Sequence, residues 1–226
     1  MLFPGIVFSG QRTVMDWHAC TPATEKKIRR IRKGQFCNAH LPAHPSLLDL
    51  LDREGIRAVF IIRDPRDVVI SNFKYVKDMD TTHETHAHIA SLADDDARLR
   101  AVIGGVDGLI APVHELWQKN QGWQQHSATL VIRYEHLIGM KGGGDTSLQI
   151  QTLRNLAAHL DLDVSDRLID QIAVRVFDSK SPTFRKGLTG GWRNTFSDEH
   201  VRLFKDETGD LLIRLGYEKN MDWSNS

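Results

Sequence analysis

The chain has 226 residues, 41% hydrophobic and 26% charged, an ordinary soluble-globular composition long enough for one sizeable core and read by default as a single domain. Its 29 Lys and Arg balance 29 Asp and Glu, so no net field draws the whole molecule to nucleic acid or to an acidic membrane, and any polyanion site must be local. No apolar run approaches the roughly 18 residues of a membrane span. The opening MLFPGIVFSG lacks the basic stretch of a secretory leader, and Cys20 and Cys37 form no CxxC pair, which together point to the cytoplasm.

No repeat recurs at a fixed period, which sets aside solenoids and propellers. Lys26 to Lys33 (KKIRRIRK), with Ile28 and Ile31 three apart, predicts the solvated face of an amphipathic helix rather than a nucleic-acid patch. Gln35 to Leu41 reads as a strand closed by Pro42. Ser46 to Arg53 begins with an N-cap residue type and precedes Gly55, predicting a short helix. Ala58 to Arg63 (AVFIIR) and Thr129 to Tyr134 (TLVIRY) read as buried parallel strands.

Between those strands, Asp64 and Pro65 supply an N-cap and an N1 proline for a helix running to about Val76. His83, His86 and His88 read as surface residues, because their spacing is not that of an HExxH metal site. Asp94 to Asp96 suit a helix N-terminus. After the second strand, Gly142 to Gly144 read as a flexible connector. Two further helices cover Leu148 to His159 and Ser165 to Val176. A last one runs from a Ser197 cap through Val201, Phe204, Leu211 and Leu212 to a stop at Gly216. Strands alternating with helices predict an α/β layered fold with a parallel sheet.

Two segments carry chemistry. In RDPRDVVIS, Arg63 to Ser71, a strand-end arginine meets a helix N-terminus, at the sheet edge where ligands of open α/β sheets bind. Asp67 and Ser71 are four apart, so they share a helix face and the Ser71 hydroxyl can join Arg63 in a phosphate clamp. The plain alternative is a solvated turn in which Arg63 and Arg66 pair with Asp64 and Asp67. In FRKGLTGGWRNTF, Phe184 to Phe196, glycines allow close backbone approach to a bulky anion. Arg185 and Lys186 can supply charge-assisted bonds to it. A flexible surface loop anchored by Trp192 fits that segment equally.

Taken in order, HLP at His40, RDPRDVVIS at Arg63, RYEHL at Arg133 and FRKGLTGGW at Phe184 resemble the cytosolic-type sulfotransferase family. The resemblance implies a three-layer, P-loop-NTPase-like α/β fold with a central parallel sheet. It also implies transfer of a sulfuryl group from 3′-phosphoadenosine 5′-phosphosulfate to a hydroxyl or amine, with no metal. Arg63 and Ser71 would bind the 3′-phosphate of the nucleotide, with Arg185, Lys186 and Gly187 completing that pocket. Phe177 and Tyr134 would lie against the adenine. His40 would be the general base, since a histidine titrating near neutrality suits removal of the acceptor's proton.

The pattern also departs from the family. Nothing before His40 matches the family's lysine-containing PKSGTTW-like loop, and no GxxxxGK[ST] occurs. The expectation is therefore a domain over 1–226 that is N-terminally incomplete, without its first strand and phosphosulfate loop, and weak in activity as it stands. Asn38 and Ala39 replace the family's lysine and threonine before His40, and Gly191 replaces the aspartate of GDW. The family's dimer motif would fall at Arg193, Ser197, Asp198 and Arg202 and is only partly preserved, so oligomeric state stays open. A catalytically silent nucleotide-binding or scaffold homologue is the alternative. A related small-molecule kinase is disfavoured by the missing Walker lysine. Carbohydrate, lipid, small-alcohol and protein acceptors are all open.

Overall fold

The structure is a computed structural model that describes residues 7–8, 14–15, 20–78, 81–82, 85–177 and 189–225. Its elements run β1 (Val7–Phe8), β2 (Val14–Met15), α1 (Pro22–Ile28), β3 (Gln35–Phe36), β4 (Ala39–His40), α2 (Pro45–Glu54) and β5 (Ala58–Ile62). Then come α3 (Pro65–Asp78), α4 (His86–Ser91), α5 (Asp95–Gly104), α6 (Val113–Gln125), β6 (Thr129–Arg133) and α7 (Tyr134–Leu137). The chain closes with α8 (Thr146–His159), α9 (Asp166–Val176), α10 (Asp198–Thr208) and α11 (Leu211–Arg214), with short 3-10 turns at Met140–Gly142 and Gly191–Asn194. Two compact units emerge: Met1–Ile62 with Lys119–Gly187, and Arg63–Gln118 with Leu188–Ser226.

The first unit holds the strands, and every pairing among them is parallel. β1 pairs with β3, β2 with β4 (Met15 opposite His40), and β5 with β6 from Ala58 opposite Thr129 to Ile62 opposite Arg133. The single strand expected over Gln35 to Leu41 is two short ones with different partners, and β1 and β2 precede them where the sequence pattern suggested no strand. β5 departs from the expectation of two buried faces. Ala58 and Phe60 pack on the cluster around Leu47 and Leu50, whereas Val59 and Ile61 project to the other face and stay 37% and 52% exposed.

Leu47, Leu50 and Leu51 put one face of α2 into that cluster with Val14, Ile28, Leu41 and Trp123. The cap of α2 is His44 rather than Ser46, because the His44 ring nitrogen accepts the Ser46 N–H with Pro45 at N1. Gly55 ends the helix at φ 61, a conformation glycine adopts without strain. The basic run is helical only to Ile28, and its two isoleucines turn inward: Ile28 is buried and Ile31 packs on the same cluster. The glycines over 142–144 form a packed turn instead of a flexible connector. A Cβ at Gly142 would meet Ile138 Cδ1 at 2.5 Å, and one at Gly144 would meet the Glu135 carbonyl at 2.4 Å. A separate cluster of Leu153, Ala157, Ile169 and Ile172 joins α8 to α9.

The second unit is helical around an aromatic core. Val69, Ile70, Phe73 and Val76 of α3 meet Leu99, Val102 and Ile103 of α5, Val201 and Phe204 of α10, and Trp192 and Trp223. Asp94 caps α5, accepting the Ala97 N–H, as the acidic run predicted. Ser197 and His200 cap α10 reciprocally. The last helix is not continuous to Gly216: it breaks at Gly209, at φ 55, so that α11 can bury Leu211 and Leu212.

Phe204 is fully buried, so Phe204→Ala is expected to cost about 3–5 kcal/mol of stability. Val174→Ala, at a position 63% exposed, should stay within about 0.5 kcal/mol of the wild type. Urea unfolding followed by tryptophan fluorescence measures both, and equal effects would show that the core is misassigned.

Candidate functional site

The RDPRD segment is built around a buried guanidinium. Arg66 is 2% exposed and makes a two-pronged pair with Asp64, Nε to Oδ1 at 2.9 Å and Nη2 to Oδ2 at 2.7 Å, while Nη1 donates to Glu218 at 2.5 Å. Its planar head lies 3.9 Å from the Trp192 ring centre and 4.7 Å from that of Trp223. Burial works against the charge, but the hydrogen bonds and charges of Asp64 and Glu218 outweigh it and hold the Arg66 pKa above its ordinary value. Asp64 Oδ1 also accepts the Arg66 N–H, capping α3 as the sequence suggested.

Asp67 has partners beyond the Arg63 that a solvated turn would give it. Its carboxylate is buried and accepts two backbone N–H groups of the glycine-rich segment, Gly190 at 2.7 Å on Oδ2 and Trp192 at 3.0 Å on Oδ1. Gly190 sits at φ 73, where a side chain would be strained, so the turn that presents these two donors needs glycine there. Burial pushes the Asp67 pKa up, opposed by the two N–H groups and by Arg63. The solvated-turn reading is therefore corrected in its solvation: Arg66 pairs with Asp64 and Arg63 with Asp67, but Arg66 and both carboxylates are buried, and Asp67 also clamps the 190–192 backbone.

Arg63 and Ser71 flank this clamp. Arg63 leaves the end of β5 with its side chain 23% exposed and Nη2 4.0 Å from Asp67 Oδ2, while its Nε is buried. Ser71 is exposed on α3, one turn beyond Asp67. Arg185, Lys186 and Gly187 lie outside the described residues, as does His83.

In the first unit, His40 is the last residue of β4 and is exposed. The segment after it is pinned. Leu41 is buried and its carbonyl accepts the Trp123 indole N–H at 2.9 Å, while Ala43 donates to the Lys119 carbonyl at 2.8 Å. Gly122 lets α6 lie flush against this segment, since a Cβ there would stand 2.8 Å from that of Ala43. Tyr134, half-buried, opens α7 directly after β6, and Phe177, also half-buried, is the C-cap of α9. His86 turns its ring toward the Val76 carbonyl at 2.8 Å. Sequence reasoning missed the roles of Asp67, Trp123 and Gly122; a second acid inside the first turn of a helix, in a chain that also carries a GGW segment, is the one signal that was present.

Residues 6–140 match the family described as Sulfotransferase domain. No curated protein matches the chain. Among solved structures, a mouse sulfotransferase, SULT7A1, complexed with PAP aligns with a TM-score of 0.60 and 18% identity, covering 94% of this chain and 87% of that one. Retinol dehydratase aligns in two complexes. With androsterone and inactive cofactor PAP the TM-score is 0.53 at 19% identity, and with retinol and PAP it is 0.56 at 18%, each covering 84% of this chain and 55% of the other. The chain thus spans about half the length of retinol dehydratase. At these identities the likeness shows the fold.

Asp67→Asn leaves one acceptor oxygen for two N–H groups and is expected to lose about 1–3 kcal/mol. Because the folded state binds the Asp67 proton more tightly than the unfolded chain, wild-type stability gains from this group as pH falls through the raised pKa, and the variant gains nothing. The deficit of Asp67→Asn should therefore widen in urea unfolding as pH is lowered from neutrality toward the ordinary aspartate range, about 4. A deficit that shrinks would mean the carboxyl is held ionised instead.

Proposed function

The chain belongs to the sulfotransferase domain family, with the α/β fold of that family, and on this premise we propose that it transfers a sulfuryl group from 3′-phosphoadenosine 5′-phosphosulfate to a hydroxyl or amine acceptor. The observation that carries the reading is the division of labour in RDPRDVVIS. Asp64, Arg66 and Asp67 make buried internal contacts, and beside them the Arg63 side chain is 23% exposed and Ser71 is exposed. A guanidinium and a hydroxyl form a donor set suited to a phosphate dianion.

The co-substrate, when bound, supplies an electrophilic sulfuryl group and a phosphate leaving group. Arg63 and Ser71 hold its 3′-phosphate, with Arg185, Lys186 and Gly187 assigned to the same phosphate. Tyr134 and Phe177 bind the adenine. A ring nitrogen of His40 takes the acceptor's proton as the acceptor oxygen or nitrogen bonds to sulfur and the bond from sulfur to the 5′-phosphate oxygen breaks. The exposed end of β4 and the anchored Leu41 suit that task, since the ring stays accessible while its backbone is held. Metal ions have no step in this scheme. The acceptor class extends over small molecules and carbohydrates, and the setting proposed is the cytoplasm. No helix among the described residues is long and apolar enough to cross a membrane. A second reading, a nucleotide-binding homologue that does not transfer, draws on Asn38 and Ala39 standing where the family has lysine and threonine.

Calorimetric titration should show 3′-phosphoadenosine 5′-phosphate binding tighter than adenosine 5′-phosphate, with Arg63→Ala removing about 10- to 150-fold of that preference. No preference for the 3′-phosphate in folded wild type would sink the reading. His40→Gln should keep nucleotide affinity and lose about 10²- to 10⁴-fold in transfer rate. If wild type and His40→Gln bind equally and neither transfers to any alcohol or amine tested, the non-transferring reading replaces the enzyme.

A further inference from the structure

α7 and α9 are far apart in sequence, yet one buried side chain serves the C-terminal end of each. Gln149, on α8 and 5% exposed, donates from Nε2 to the Leu137 carbonyl at 2.8 Å and to the Ala173 carbonyl at 3.1 Å. Leu137 is the last residue of α7, and Ala173 lies in the last turn of α9, so both carbonyls belong to the set that a helix end leaves without an intrahelical donor. An amide has two N–H donors, and here each is used on a different helix. The fit is close on the other side of the amide as well. A Cβ at Gly139, where φ is 62, would stand 2.3 Å from Gln149 Oε1, so glycine at 139 is what admits the side chain.

α7 begins with Tyr134, and Phe177 is the C-cap that follows α9; these are the two residues assigned to the adenine. We propose that Gln149 is the positioning residue of the base pocket, a buried amide that caps α7 and α9 together and so holds Tyr134 and Phe177 in one geometry. The proposal rests on the nucleotide reading of the site. Hydrophobic contacts alone do not supply this constraint. Apolar packing is non-directional, whereas the amide loses one of its two directional bonds if either helix shifts.

The test compares Gln149→Met, which keeps length and loses both donors, with Gly139→Ala, which crowds the amide without touching it chemically. Amide hydrogen exchange reads the cap itself: protection should fall together in α7 and in the last turn of α9, and stay unchanged in α2. Calorimetry reads the pocket: the affinity gained by 3′-phosphoadenosine 5′-phosphate over base-free ribose 3,5-bisphosphate should fall about tenfold in both variants, while the base-free ligand binds as before. The proposal is overturned if exchange is unaltered in folded variants, or if both ligands weaken equally, which is the signature of general loosening. If wild type binds neither ligand, the nucleotide reading falls and takes the pocket role of Gln149 with it. The exchange data then still decide whether the amide joins the two helices.

Discussion

Arg66 is a buried guanidinium held by the carboxylates of Asp64 and Glu218 and packed against two tryptophan rings, and the second unit is arranged around that fact. A guanidinium taken out of water is costly unless its charge and its donors are matched. Asp64 supplies a two-pronged match from the same turn, Glu218, near the end of the chain, accepts from Nη1, and the Trp192 and Trp223 rings, set edge to face, both lie against the guanidinium. Removing a single partner from such a set leaves a buried charge uncompensated, typically a loss of about 3–5 kcal/mol. The arrangement therefore ties the amino end of α3, the 190–192 turn and the segment after α11 into one constraint. Asp67 adds the backbone half of it through Gly190 and Trp192.

Which charges stay available for chemistry depends on that constraint. A segment with two arginines and two aspartates in five residues can neutralise itself entirely, and then it offers nothing to a ligand. Here Arg66 is buried with Asp64, Asp67 accepts two backbone N–H groups, and the partly exposed Arg63 side chain lies 4.0 Å from Asp67. The same logic holds at His40. The strand ends there, Leu41 is anchored through Trp123, and His40 is left exposed. In both places the residues beside the reactive candidate are fixed by contacts of their own.

Much of the framework was legible in the sequence. The apolar runs of β5 and β6, the Asp64–Pro65 start of α3, the Ser165 and Ser197 caps and the acidic start of α5 all obey local rules, because capping and strand patterning depend on neighbours a few residues away. The features that misled were decided at a distance or by a competing neighbour. Ser46 has the better capping side chain by type, yet His44 caps because Pro45 starts the helix one residue earlier. A continuous last helix is locally reasonable, but burial of Leu211 and Leu212 bends the chain at Gly209. The glycines over 142–144 have the composition of a loose connector, and only the close approach of Ile138 and the Glu135 carbonyl makes them a packed turn.

The candidate site divides in the same way. The order of HLP, RDPRDVVIS, RYEHL and FRKGLTGGW along the chain was enough to identify the family, since four separated motifs in one order leave little room for another fold. Residue type and spacing also offered Arg63 and Ser71 as a phosphate clamp, whereas His40 was picked out only by the family resemblance. Which of the neighbouring charges would be consumed internally was settled only in three dimensions. Asp67 meets a backbone 123 residues further on, Arg66 meets Glu218, and Gln149 meets two helix ends, and none of these contacts leaves a trace in local pattern. The sequence alone determined the family to which the chain belongs; the tertiary structure decided which of its charges are buried and what they pair with, because desolvation and pairing depend on what is brought close in space.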